Sequence, residues 1–401
     1  MRGFLFALAF FAQSALAASI IDVNKLNETL KKTNAGWVAR ETPISQLSKG
    51  ELKMRMGLRR SSAPDVQFKT NKHHVMTGQP SSLDWRAKDG NNWVTPMLDQ
   101  ANCGSCVAFA AVATMETQYK IDSGFANFNV KFSPQYLFAC GGGYCDWGWQ
   151  PSSAARFLQK TGAPDEACMP YTSGATGKDV ACSAACKNSA QRNVKLASYS
   201  TPTRSALDLA AIKTALQRGP LVTTLEVYAD FMTYSSGIYK HVAGEMLGGH
   251  AVSIIGYNDT ERYLLIRNSW GETWGEHGFG KVSYEDISGV GDETWSYAIP
   301  SLGGAVSVSS PIDYSYHTGQ VAVSTHSTFS ATDSLAVTFF DNNGNAAINT
   351  TCMTNDCTLS QDVANLRDGR YEVQVTAMDS LGMALGASTR QFFYVANNTK
   401  A

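Results

Sequence analysis

The chain carries no excess of charge of either sign: 33 Lys and Arg stand against 34 Asp and Glu, a net charge of −1 over 401 residues. No Lys/Arg run builds a basic field, so nucleic acid is not an expected partner. Nor is there an apolar run able to span a bilayer, which takes ~20 residues. The short run Phe4–Phe11, preceded by Arg2 and followed by Ala15-Leu-Ala17, instead has the layout of a cleaved signal peptide ending near Ala17 or Ala18. Histidine is scarce, with seven in all, and His73-His74 reads as an exposed linker dipeptide. No Cys-x-x-Cys pair is matched by a second one, so no metal site is expected and no cofactor is implied.

What the chain does have is nine cysteines, an odd number, on a secretory route. Four Asn-x-Ser/Thr sites fit the same route: Asn27, Asn258, Asn349 and Asn397, with Asn258 on a turn and Asn349 in an expected loop. The informative cysteines lie in Gln100-Ala-Asn-Cys103-Gly104-Ser105-Cys106-Val-Ala-Phe109. The stretch after Cys106, rich in Ala, Val, Phe, Met and Glu, predicts a helix with Cys106 in its first turn. A free thiol titrates near ~8.5 and is a weak nucleophile at neutral pH, whereas a helix N-terminus favours its anion. A neighbouring histidine would hold the thiolate as an ion pair and later protonate the leaving amine. A third group must fix the tautomer of that histidine.

Both partners stand downstream. Gly248-Gly249-His250 opens a β-branched strand running to Tyr257, Arg262–Arg267 reads as the next strand, and Asn258-Asp-Thr-Glu261 between them is turn chemistry. A hairpin on that turn sets His250 opposite roughly Asn268 or Ser269, at cross-strand spacing of about 5 Å. Asn268 is therefore the expected orienting group. With Cys106 reserved as the free nucleophile, eight cysteines remain for four bridges, and spacing alone leaves their connectivity open.

Cys-Gly-Ser-Cys with a histidine 144 residues on (250 − 106) and an Asn268-Ser-Trp270-Gly segment resembles the papain and cathepsin family of cysteine proteases. Within it, Val227–Phe231, Ser236–Tyr239 and His241–His250 look most like cathepsin B. The resemblance implies a two-lobed α+β fold, a helical lobe packed on an antiparallel β lobe, over roughly residues 20–300. It implies peptide-bond hydrolysis through an acyl-enzyme on Cys106, with an oxyanion hole from the Gln100 side chain and the Cys106 N–H. It pairs Cys103–Cys145, Cys140–Cys182 and Cys168–Cys186, leaving Cys352–Cys357 to close a small loop. It assigns the substrate cleft to Gly104, Trp147, Gly148, Gly249, Ala251, Trp270 and Thr294. Gly148 is to pair with the substrate backbone. Ala251 and Thr294, with Glu293 nearby, are to line the pocket for the second residue on the acyl side. Trp270 is to shield the Asn268–His250 bond.

Two departures shape the expected specificity. Trp147 stands where relatives often carry glycine, which predicts a narrower entrance beside Gly148. The Cys168–Cys182 stretch holds no histidine, whereas cathepsin B carries there a loop with two histidines that caps the cleft. An open cleft, and so endopeptidase action, is expected.

The organisation read from the sequence is a signal peptide (1–18), a pro-segment (19–80), a papain-like catalytic domain (81–302) and an immunoglobulin- or fibronectin-like β-sandwich (303–401). Ile20–Lys32 has helical periodicity, and Trp37–Arg40 with Leu52–Gly57 resembles a cathepsin B-like pro-segment that lies across the cleft as an inhibitor until removed. Ser61–Pro64 and Lys69–Gln79 read as the processing region. Gly303–Pro311 reads as a linker, and the four period-two runs Gln320–Ser324, Ser334–Phe340, Tyr371–Ala377 and Arg390–Val395 as sandwich strands. The expected product is a monomeric zymogen, secreted or held in a lysosome or vacuole, acting on protein or peptide substrates and open to cystatin-like inhibitors. A secreted protease-like binding protein acting through the β-sandwich, or a peptide ligase on the same triad, are the alternative readings.

Overall fold

The structure is a computed structural model and describes residues 20–59, 78–124, 126, 130–300, 306–311, 315–329, 332–378, 384–388 and 390–397. The expected signal peptide, His73-His74 and most of the expected processing region lie outside them. Among the described residues no helix is long and apolar enough to cross a membrane.

Two helices precede the catalytic segment: α1 (Val23–Thr33) and α2 (Lys49–Lys53). Asp22 caps the first, and a Ser48/Glu51 capping box starts the second. Helix α3 (Cys106–Ser123) then forms the spine of the helical lobe, with α4 (Pro134–Gly141) and α5 (Pro151–Lys160) packed on it. Its first half is almost wholly apolar, and nearly all of its residues are buried, Glu116, Gln118 and Lys120 among them, which fits a helix enclosed on all sides. Gly124 ends it in the left-handed conformation, its N–H bonded to the Lys120 and Ile121 carbonyls.

The β lobe is a nine-stranded sheet. Its strands are β1 (Trp37–Ala39), β2 (Ser82–Asp84), β3 (Ser198–Ser200), β4 (Leu221–Tyr228), β5 (Tyr234–Tyr239), β6 (Met246–Asn258), β7 (Tyr263–Arg267), β8 (Phe279–Ser283) and β9 (Thr294–Ala298). Their order is β1-β5-β8-β7-β6-β4-β9-β3, with β2 also on β6. Branched aliphatics of β4, β6 and β7 and the buried rings of Phe231, Tyr234, Trp270 and Trp274 fill its core. Strand β1, from the expected pro-segment, pairs antiparallel with β5 and so extends this sheet.

The C-terminal strands are β10 (Val306–Ser310), β11 (Ser315–His317), β12 (Gln320–Ser327), β13 (Ser334–Phe340), β14 (Ala346–Cys352), β15 (Asp356–Asp362), β16 (Gly369–Met378), β17 (Ala384–Ala387) and β18 (Gln391–Val395). They form a three-stranded sheet (β10-β12-β15) and a six-stranded one (β11-β18-β16-β13-β14, with β17 on β16), whose inner faces share one core. Two expectations change here. Part of the expected linker is β10, because Val306 and Val308 alternate with serines and turn into that core. Asn349 is not in a loop but in β14, exposed, opposite Thr338.

The disulfides are Cys103–Cys145, Cys140–Cys182, Cys168–Cys186 and Cys352–Cys357. The last ties β14 to β15, and hence one sheet of the sandwich to the other. Of the four sequons, Asn349 is exposed, and Asn258 is half-buried with its amide nitrogen on the exposed Glu261 carboxylate at 3.0 Å. The Asn27 amide nitrogen is committed to the Ala39 carbonyl (2.8 Å), and that of Asn397 to the carbonyls of Val363, Ala364 and Leu366. A glycan at either of those two would displace these bonds.

Candidate active site

Cys106 is the first residue of α3, fully buried, and the one cysteine outside a disulfide. No side chain caps this helix, so the N–H groups of Cys106 and Val107 remain free to face the sulfur, joined by those of Ala251 and Gly57. Ala251 is the residue after His250 on β6, which packs along α3. The hairpin β6–β7 is present, but its ladder ends at Ser253 opposite Arg267, with a bulge between Ile254 and Gly256. His250 and Asn268 thus lie beyond the last paired residues and meet through their side chains, with His250 Nε2 2.8 Å from Asn268 Oδ1. That oxygen also accepts from the Ser269 N–H at 2.8 Å. An amide oxygen can only accept, so His250 carries its proton on Nε2 and keeps Nδ1 for a reacting partner. Trp270, fully buried, lies over the imidazole with ring centroids 4.6 Å apart and is backed by Phe231 and Trp274.

Gln100 is held on three sides. Its N–H donates to the Ser269 carbonyl (2.9 Å), its Oε1 accepts from Ser269 Oγ (2.7 Å), and its Nε2 donates to the Cys103 carbonyl (3.0 Å). Ser269 therefore decides which end of this amide faces the cleft. The sequence reading missed that role, although the serine adjoins Asn268 in the quoted motif. The Tyr171 hydroxyl, also missed, bonds the Gln100 carbonyl and Ser105 Oγ, both at 2.7 Å. Replacing Ser269 by alanine strands a buried acceptor, at a cost of ~1–3 kcal/mol, and frees the amide to turn. The expected result is a kcat lowered by roughly tenfold with a smaller change in KM, read from steady-state peptide hydrolysis.

A chain already lies in the cleft. Residues 55–59 run between its walls. The Arg55 carbonyl accepts from Gln100 Nε2 at 3.3 Å, Leu58 N–H donates to the Gly249 carbonyl at 3.1 Å, and Arg59 N–H and the Gly57 carbonyl both bond Trp149 at 2.8 Å. A Cβ on Gly57 would stand 2.0 Å from the Gly104 carbonyl oxygen, and one on Gly148 would stand 2.0 Å from that of Gly57. Here three glycines fit because backbones meet. Arg55 is anchored by Asp99 (2.6 Å), and Lys49 by Glu245 (2.6 Å).

Three expected cleft residues are placed differently from the reading. The backbone partner of the threaded segment is Trp149, not Gly148, because the Gly148 N–H is used by the Tyr144 carbonyl in a tight turn (2.7 Å). Trp147, at the tip of that turn, is 74% exposed and stands out into solvent instead of closing over Gly148. Thr294 is fully buried with its hydroxyl bonded to Thr203 (2.8 Å), so its polar end is committed within the fold.

Burial keeps both groups neutral: it pushes the Cys106 thiol up to about 11, and it pushes the His250 imidazole down to about 4 against the opposing hydrogen bond to Asn268. An imidazole whose pKa is lowered in the closed form binds fewer protons there than in an open or unfolded one, which titrates near ~6.5. The histidine's contribution to closure is then fully present above that value and weakens as the pH falls toward 4. Inhibition of the processed enzyme by an added pro-segment peptide is expected to weaken over that interval. An inhibition constant that stays flat from pH 7 to 4 would contradict this.

Residues 79–298 match the family described as papain family cysteine protease. The chain belongs to the papain family of cysteine proteases. It is 35% identical over 289 residues to cathepsin B-like CP3 of Giardia intestinalis, covering 69% of this chain and 93% of that one. It is 31% identical over 269 residues to a gut-specific cysteine proteinase of Caenorhabditis elegans, covering 60% and 80%. In fold it is similar to procathepsin B S9 from Trypanosoma congolense (TM-score 0.60, 22% identity, 70% of this chain and 99% of that one). It is similar likewise to digestive procathepsin L 3 of Tenebrio molitor (TM-score 0.55, 22% identity, 69% and 88%). The two lobes here are the papain-like fold, with the C-terminal strands added to it.

Proposed function

We propose that this papain-family cysteine protease is a secreted endopeptidase made as a zymogen, in which Cys106 is the nucleophile, His250 the acid and base, and Asn268 the group that orients His250. The observation that carries the reading is the free thiol at an uncapped helix start, beside a β6–β7 hairpin whose His250–Asn268 bond fixes a neutral tautomer. Attack of Cys106 Sγ on the scissile carbonyl passes its proton to His250. The oxyanion forms against the Gln100 amide and the Cys106 N–H. His250 returns the proton to the leaving amine, and water then releases the acyl group.

Residues 19–80 act as the pro-segment and 81–302 as the catalytic domain. The Arg55 carbonyl on Gln100 stands where the oxyanion would form, so the zymogen is closed at the group that catalysis needs. The disulfides fit an oxidising compartment, outside the cell or in a lysosome or vacuole, where cystatin-like inhibitors would meet the cleft. The Cys168–Cys186 region carries no histidine to grip a substrate C-terminus, which favours internal cleavage. The test uses processed enzyme and internally quenched peptides with free and amidated C-termini. Equal rates and internal products are expected. A strong need for the free carboxylate would refute the open cleft, and ligated products in place of hydrolysed ones would refute the peptidase.

A further inference from the structure

The C-terminal sandwich is not used by the chemistry above, and the outer face of its six-stranded sheet has an unusual composition. Phe393 and Val395 of β18, Tyr371, Val373 and Val375 of β16, and Leu335, Val337 and Phe339 of β13 fill the core. Alternation sends their neighbours outward. One register row across the sheet is then Tyr316–Tyr394–Arg370, and the next contains Phe392–Glu372–Phe340. The two tyrosine rings stack with centroids 4.9 Å apart and planes 18° from parallel. Tyr316 is on β11, the edge strand, and is 73% exposed, so the stack ends on an open ring face. The Arg370 guanidinium lies 3.9 Å from the Phe392 ring centroid and bonds Glu372 at 3.1 Å. Arg390 bonds the other oxygen of Glu372 at 3.0 Å and lies 4.0 Å from the Phe340 ring centroid. Two cations, Arg370 within these rows and Arg390 beside them, share one carboxylate, which leaves the cluster with a net charge of +1.

These rows hold rings and ions but no branched aliphatic side chain. A protein partner of ordinary kind would want a continuous apolar core. A pyranose matches better, since its C–H faces are apolar and stack on an aromatic ring while its rim is polar. The surplus positive charge asks for an acidic substituent on it. Tyr316 and Arg370 sit two strands apart, about 10 Å, which is the span of two linked sugars. We infer that the Tyr316–Tyr394–Arg370 row is a binding site for an acidic polysaccharide, with one sugar ring stacked on Tyr316 and the carboxylate or sulfate of its neighbour on Arg370. Such a site would concentrate the enzyme on acidic glycan matrices without touching the catalytic cleft. Single-stranded nucleic acid also combines stacking with arginine contacts, but it wants a charged groove that follows a backbone, and a net +1 does not supply one.

The test is affinity electrophoresis of the full chain in gels containing polygalacturonate, heparin, dextran or poly(U), with peptide hydrolysis by the processed enzyme measured in parallel. Retardation by polygalacturonate, heparin or both, and none by dextran, is expected. Polygalacturonate alone would assign the carboxylate, and heparin alone the sulfate. Tyr316→Ala should weaken the retardation at least tenfold and Tyr316→Phe should keep it. Arg370→Gln should weaken it and reduce its salt dependence, and none of the three should change peptide hydrolysis. Retardation by neither acidic polymer, retardation unaffected by Tyr316→Ala, or binding to poly(U) as tight as to either polysaccharide would each overturn the inference.

Discussion

Replacing Cys106 by alanine is expected to lower peptide hydrolysis by ~10⁴–10⁶-fold and to abolish labelling by a thiol-directed peptide epoxide, while the protein still folds. The size follows from the lack of a substitute. The other eight cysteines are bridged, and the hydroxyls of Ser105 and Ser269 are engaged elsewhere, Ser105 with Tyr171 and Ser269 with Gln100. Nothing else at the helix start can carry the acyl group. The substitution removes one buried sulfur from a wall of small residues, a cost of about 1 kcal/mol against a stability of ~5–15 kcal/mol. Active-site labelling is the cleaner readout, because it needs only one turnover. Undiminished labelling in Cys106→Ala would remove Cys106 from the mechanism.

Substituting Gly57 by valine is expected to weaken inhibition by the pro-segment by ~10–10³-fold. A Cβ there meets the carbonyl oxygen, carbon and Cα of Gly104 at 2.0, 2.2 and 2.7 Å, all backbone atoms of the loop that carries Cys106. That loop is pinned by the Cys103–Cys145 bridge and by the Gly104 N–H on the Cys145 carbonyl, so the inserted chain has to move instead. Lifting it breaks three backbone hydrogen bonds, Leu58 to Gly249, Arg59 to Trp149 and Trp149 to Gly57, each worth ~0.5–1.5 kcal/mol, and their sum gives the stated factor. Two measurements apply: the inhibition constant of a synthetic 20–59 peptide on the processed enzyme, and the activity of the unprocessed chain. Wild-type inhibition by the Gly57→Val peptide would mean that residues 55–59 do not block the cleft by this route.

The main lines of the fold were legible because they rest on local pattern. The apolar stretch after Cys106 is helical through Ser123, Ser334–Phe340 is a strand over the whole expected range, and the turn at Asn258–Glu261 does join β6 to β7. The misreadings are equally local in origin. Val306-Ser-Val308-Ser reads as a linker because its serines and neighbouring glycines mask an alternation of only two valines. Asn349 reads as a loop residue because β14 carries mostly polar side chains on its exposed face.

The sequence by itself determined the reactive inventory: one unpaired thiol at a helix start, one histidine and one asparagine on a shared hairpin, and cysteines enough for four bridges. Each follows from residue type and short-range spacing. Only the tertiary structure decided what surrounds that inventory. Arg55 reaches the Gln100 amide across 45 positions, and Ser269 turns that amide across 169. Thr203 engages the Thr294 hydroxyl across 91. The stacking of Tyr316 on Tyr394 depends on a parallel pairing between an edge strand and the last strand of the sandwich. Contacts between segments so far apart leave no periodicity in the chain, since their geometry is set by how whole elements pack and not by the residues on either side.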